Sequence, residues 1–98
     1  MVEKRVHPRI STELPVVCEG ESAFSGIAKD LSMGGMFIES DTVPAFGAKL
    51  NIVCRLPGAT ADSKLPAIVR WSKPGGFGVQ FGLLGARETH IIAGLLTY

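Results

Sequence analysis

Apolar and polar residues alternate along most of this chain, and glycine or proline interrupts the pattern at short intervals. In "KLNIVCRLPG" the even positions Leu50, Ile52, Cys54 and Leu56 are apolar, and Lys49, Asn51 and Arg55 between them are polar; Val53 alone breaks the rule. A period of two predicts a strand with one buried face. The same reading puts Leu14, Val16 and Cys18 on one side of "LPVVCEG". It groups Leu65, Ala67, Val69 and Trp71 in "LPAIVRWSK", with Arg70 and Ser72 opposite. In "GFGVQFG", Phe77, Val79 and Phe81 oppose Gly78, Gln80 and Gly82. In "SGIAKDLSMGGMFIES", Ile27 and Leu31 share one face and Ala28, Asp30 and Ser32 the other. Met36 and Ile38 then return to the core, so Asp30 and Ser32 project from the outer wall near a strand end.

"SKPGGFG" reads as a hairpin turn and "PGATADSK" as a longer, mobile hairpin loop. Short strands between frequent turns predict an all-β sandwich or barrel. The tail "GARETHIIAGLLTY" differs. Ile91, Ile92, Leu95 and Leu96 recur at helical spacing against Arg87, Glu88 and Thr89, which predicts a short helix over 86–96 packed on the barrel and plugging one open end. Gly94 weakens it by about 1 kcal/mol relative to alanine. With no repeat or linker, the chain reads as a single domain, 1–98: an N-terminal arm over 1–12, a barrel over 13–83 and the helix.

Composition narrows the class. The 98 residues are 46% hydrophobic and 19% charged, enough for one folded core. A net charge of +1 supplies no general field for DNA, RNA or an anionic membrane, so any anion site is local. No apolar run approaches the roughly 18 residues of a membrane span. "MVEKRVHPRI" lacks the apolar core of a signal peptide. These features make a cytoplasmic protein the expectation, with Cys18 and Cys54 reduced in the core.

Two segments carry candidate chemistry. "KRVHPR" holds Lys4, Arg5 and Arg9, the arginines in an RxxxR spacing. Pro8 disfavours the helical region at His7, so the arginines lie on an extended or turning arm. A guanidinium pairs bidentately with phosphate or with guanine O6 and N7, and its flat face stacks on bases. A solvated basic terminus explains the same residues. In "KDLSMGG", Asp30 can accept the N1–H and N2–H of guanine, and Ser32 is a small donor and acceptor. Gly34 and Gly35 allow positive φ and close approach to the backbone. A turn stabilised by Asp30 or Ser32 explains this segment too.

Taken together, in this order and spacing, the two segments resemble the PilZ domain, a family marked by RxxxR and [DN]xSxxG. Arg5 and Arg9 match the first motif; Asp30, Ser32 and Gly35 match the second. "VRW" at 69–71 and "GFGVQF" at 76–81 are similar to the family as well. The resemblance implies a six-stranded antiparallel, split-barrel-like β-barrel with a short C-terminal helix. It implies binding of cyclic di-GMP, a bacterial second messenger in motility or biofilm regulation. Arg5 and Arg9 would grip phosphates and guanine faces, Asp30 and Ser32 would hydrogen-bond a guanine, and Gly35 would fit the turn beneath. Lys4 stands where some members carry a further arginine, which leaves one ligand or an intercalated pair open. Lys4, Gly34, Arg70 and Trp71 are auxiliary candidates; Trp71 shares the parity of Val69, which suits the core equally.

Ordering of the arm over the ligand would pass the signal to a separate effector protein, the domain itself being a monomer or weak homodimer. The alternative is a nucleotide-independent adaptor on the same barrel. An enzyme is not expected, since no clustered acid, base or nucleophile set stands out. Neither a cofactor nor a metal is expected: His7, His90, Cys18 and Cys54 show no metal-ligand spacing.

Overall fold

A computed structural model describes residues 9–96. Six strands, β1 (Arg9–Glu19), β2 (Ala23–Ser32), β3 (Gly35–Glu39), β4 (Lys49–Cys54), β5 (Ser63–Lys73) and β6 (Gly76–Phe81), precede one helix, α1 (Ala86–Leu96). The strands close into an antiparallel barrel in the order β1-β2-β3-β6-β5-β4. Closure comes from β4 pairing back to β1, with Val17 opposite Val53 and Cys18 opposite Ile52. β1 begins at Arg9, so it reaches into the stretch expected as arm. Lys4, Arg5 and His7 lie outside the described residues.

The alternation read from the sequence builds the core. Leu14, Val16 and Cys18, then Leu50, Ile52, Cys54 and Leu56, then Leu65, Ala67 and Val69, then Phe77, Val79 and Phe81 all turn inward. Burial of that apolar surface is the main force holding the barrel. Cys18 and Cys54 are free thiols inside it, each pushed up to about 11 by burial, with their mutual charge adding to the rise at Cys18.

Three irregularities interrupt the pattern. Between Ser11 and Leu14, β1 sets Thr12 and Glu13 against Lys29 alone. Lys29 is extra against β3, between the pairs Ala28–Ile38 and Asp30–Phe37. Arg70 is extra against β6, between Val69–Val79 and Trp71–Gly78. Such bulges reverse side-chain parity beyond them. This corrects two expectations: Ala28 is buried in the core rather than sharing the outer face with Asp30, and Trp71 stands outside the barrel, 48% exposed, rather than beside Val69.

The helix spans the predicted residues. Ile92 is fully buried in the barrel core, and Ile91, Leu95 and Leu96 pack against it. Its first turn is tied to β5. Ser63, itself buried, donates to Glu88 Oε2 at 3.0 Å, and Arg87 Nη1 donates to Ser63 Oγ at 3.2 Å and to Glu88 Oε2 at 2.6 Å. Arg87 Nη2 reaches the Ala61 carbonyl at 3.2 Å. No described helix is long and apolar enough to cross a membrane.

Candidate functional site

The end of the β2–β3 hairpin is held by one side chain. Ser32 Oγ accepts the N–H groups of Gly34 and Gly35 at 3.1 and 3.2 Å and donates to the Gly35 carbonyl at 3.3 Å. That uses its donor and both lone pairs. Ser32 is only 3% exposed, so the hydroxyl expected on the open outer wall is buried and shapes the turn. The Gly34 carbonyl in turn accepts the N–H of Phe81 at 2.8 Å, fastening the turn to the end of β6.

Gly35 is required for a reason other than the one anticipated. The glycines with positive φ among the described residues are Gly47, Gly58 and Gly75, and Gly75 makes the β5–β6 turn. Gly35 has ordinary strand geometry, but a Cβ there would collide with the carbonyl of Val79 on the neighbouring strand. Its lack of a side chain lets β3 and β6 approach.

Asp30 stands beside this turn on the outer wall, partly exposed. Its Oδ1 accepts the main-chain N–H of Phe37 at 2.9 Å and Arg9 Nη1 at 3.2 Å. The Arg9 side chain is about half exposed. One residue from each motif therefore meets the other directly: Arg9 at the start of β1 lies opposite Ser32, and Ser11 lies opposite Asp30. Nearby, Lys29 Nζ pairs with Glu13 Oε2 across the bulge.

The structure brings Arg9, Asp30, Ser32, Gly34 and Gly35 together at this corner. Arg5 and Lys4 lie outside the described residues. Arg70 is exposed at its bulge. Trp71 belongs to the same outer surface as Asp30, because a single cross-strand row runs from Asp30 through Phe37 and Gly78 to Trp71.

Phe37 escaped the sequence reading. Its ring stacks on Trp71 with centroids 5.3 Å apart and planes 9° from parallel, and Lys73 Nζ sits 5.2 Å from its centroid. The rings cover glycines: a Cβ at Gly76 would strike Phe37, and one at Gly78 would strike the Trp71 indole. A usable signal was present. Gly76 and Gly78 fall at successive outward positions of β6, and a strand bare of side chains there requires large neighbours to cover it. The ring of Phe37 also forms one wall of an open cleft of about 690 Å³ that continues past Lys73 to Gly26 and Gly75.

The corner thus offers a guanidinium, a carboxylate with one oxygen free of described partners, a tight glycine turn and an exposed aromatic stack. Such groups can pair with an anion, accept N–H donors and stack on a flat ring. Among the described residues no group of three or more histidine, cysteine or acidic side chains could hold a metal ion.

Comparison with protein families matches the PilZ domain over residues 3–97. Comparison with curated proteins yields no match. Among solved structures, the chain is similar to the Bacillus subtilis inhibitor of motility, MotI/DgrA, at TM-score 0.78 and 18% identity, covering 97% of this chain and 50% of that one. It is similar to the PilZ domain of CeSA from a cellulose-synthesizing bacterium, at TM-score 0.71 and 20% identity, covering 91% and 94%. It is similar to MrkH of K. pneumonia in its c-di-GMP complex, at TM-score 0.70 and 20% identity, covering 97% and 52%. The chain therefore spans about half the length of MotI and MrkH. At these identities the likeness establishes the shared fold.

Proposed function

The chain belongs to the PilZ domain family, and from that membership we propose that it is a receptor for cyclic di-GMP. Arg9 and the arm residue Arg5 grip the phosphates and guanine faces. Asp30 accepts from the edge of one guanine. Ser32 and Gly35 act on the ligand by holding the turn that frames it, and Trp71 offers an exposed ring at the far end of the row. Closure of the arm over the ligand then presents a new surface to a partner protein.

The observation that carries this reading is the convergence of the two motifs. Arg9 and Asp30 are 21 residues apart in sequence and 3.2 Å apart in space, next to the Ser32–Gly35 turn. Two motifs intact in sequence, with Arg9 of the first on Asp30 of the second, favour a nucleotide receptor over an adaptor that ignores the nucleotide. The fold's use by a protein solved in complex with c-di-GMP is consistent with it.

Calorimetric titration of the whole chain with cyclic di-GMP tests the proposal. Saturable heat is expected, and Arg9→Ala and Asp30→Ala should each weaken binding by more than about 1.5 kcal/mol, since each removes a charge-assisted hydrogen bond. No heat, together with no displacement of a fluorescent cyclic di-GMP at high micromolar protein, overturns it.

A further inference from the structure

Phe37 has no part in either motif, yet it joins the two ends of the outer row. Its main-chain N–H bonds to Asp30 Oδ1 at 2.9 Å, and its ring lies against Trp71, over Gly76 and beneath Lys73 Nζ. On one side of it the Lys29 bulge breaks the β2–β3 ladder, and on the other the Arg70 bulge breaks β5–β6. Bulges leave a residue unpaired and the strand locally kinked. Asp30, directly beyond the first bulge, is paired through its main chain with Ser11 and Phe37, and its side chain needs a restraint of its own.

Resting on the cyclic di-GMP reading, we propose that Phe37 is the positioning residue of Asp30. The carboxyl torsion of aspartate is broad and two-fold, so an unrestrained Asp30 would present either oxygen over a wide arc. The Phe37 N–H, seconded by Arg9, captures Oδ1. Oδ2 accepts nothing from a described residue and is left as the aimed acceptor. The N–H can hold that aim only if the Phe37 backbone is itself held, first by the unbroken pairing of β3 with β6 and then by the packed ring. It cannot sink toward β6, because the glycine backbone supports it, and it cannot swing sideways, because the indole of Trp71 blocks it. Rigid aromatic packing beside Asp30 therefore becomes hydrogen-bond direction at its carboxylate.

The direction of Oδ2 matters for which base is accepted. Guanine offers two adjacent N–H donors, N1–H and N2–H, to a carboxylate; adenine sets its N1 acceptor beside a single amino donor, so only a well-aimed oxygen separates the two. A loosened Asp30 should lose discrimination while phosphate contacts persist.

The experiment measures affinity for cyclic di-GMP and for its adenine counterpart in the wild-type chain, Phe37→Leu and Phe37→Tyr, with thermal melts alongside. Phe37→Leu keeps the N–H and removes the flat ring. Its affinity for cyclic di-GMP is expected to fall about tenfold, the equivalent of one weakened charged hydrogen bond. Its weaker affinity for the adenine ligand should stay the same, and Phe37→Tyr should restore the wild-type preference. Should Phe37→Leu melt below the assay temperature, Gly76→Ala takes its place, because the added methyl presses chiefly on the tip of the ring, with one looser contact to the Ile38 carbonyl at 3.0 Å, and does not touch Asp30. Wild-type discrimination in the folded variant, or equal loss for both ligands, overturns the positioning role. Failure of the wild-type chain to bind cyclic di-GMP at all overturns the underlying reading instead, and this inference with it.

Discussion

The two sides of the barrel obey different rules. Along β4 and the first half of β5 every second residue faces inward without interruption, and the outward positions Lys49, Asn51 and Lys64 carry no candidate chemistry. Along β2 and the second half of β5 the alternation slips at Lys29 and at Arg70. Beyond those slips stand Asp30 and Trp71, two ends of the outer row. Regular alternation commits residues to the core. A bulge releases the next residue from that commitment and re-aims it. The candidate site lies where the pattern that builds the barrel fails.

If the two sides are independent, core damage on the regular side should cost stability and spare recognition. Ile52 is wholly buried in β4. Ile52→Ala is expected to destabilise the fold by about 2–5 kcal/mol, through lost burial and the cavity left behind. In denaturant titration the midpoint should drop accordingly. At a temperature where the variant remains folded, its cyclic di-GMP affinity should match the wild type. A clear loss of affinity would show that the regular side also sets the site.

Gly35→Ala tests the opposite case, where one residue serves both fold and site. The new methyl meets the Val79 carbonyl, main chain that cannot swing aside. β3 must shift from β6, at a cost of about 1–3 kcal/mol typical of overpacking. The shift also pulls on the Ser32 cradle, so stability and affinity should fall together. Stability loss with full affinity would mean that the turn is scaffolding only.

The regular side was legible from residue types alone, because one-sided burial writes itself into the sequence with period two. Leu50, Ile52 and Cys54 in β4 and the helix stripe of Ile91, Ile92, Leu95 and Leu96 needed nothing more. The motif residues were legible through their spacing. Arg9 and Asp30 are indeed adjacent, although nothing in RxxxR says that the second arginine would lie on a strand. Ala28 and Trp71 were misplaced for a single reason: a bulge inserts one residue into the register, and no residue at Lys29 or Arg70 announces it. Ser32 was assigned the right neighbourhood and too open a setting, since a hydroxyl that caps a turn looks the same in sequence as one that meets a ligand. Phe37 was missed because its role depends on Gly76 and Gly78, which come from a strand some forty residues later.

A smaller effect separates stability from recognition in the favourable direction. Gly94 lies within α1, and a Cβ there meets nothing within 4 Å. Gly94→Ala should raise stability by up to about 1 kcal/mol, the helix-propensity difference, which for a domain of this size lifts Tm by roughly 4–8 °C. Affinity for cyclic di-GMP should not change. A rise in both would tie the helix to the outer row and make the two sides of the barrel interdependent.

The smallest expected effect concerns how the helix is held to the regular side, and it depends on pH. The hydrogen bond from Ser63 is the largest cause holding the Glu88 carboxyl below its ordinary value, and neighbouring Arg87 lowers it further. A carboxyl depressed in the folded state binds its proton more weakly there than in the unfolded chain. It therefore contributes stability above its unfolded pKa of about 4.3, and that contribution disappears as pH falls through the lower folded value. Glu88→Gln removes the charge at every pH. Thermal melts should show the wild type above the variant by a constant margin near neutral pH, with the two curves converging in the acid range. A margin that persists unchanged into acid would assign the attachment to the shape of the Ser63–Arg87 contact rather than to the charge of Glu88. Cyclic di-GMP binding at neutral pH should be equal in the two proteins, because the hydrogen bonds of Glu88 run to Ser63 at the start of β5 and to Arg87 beside it, not to the row from Asp30 to Trp71.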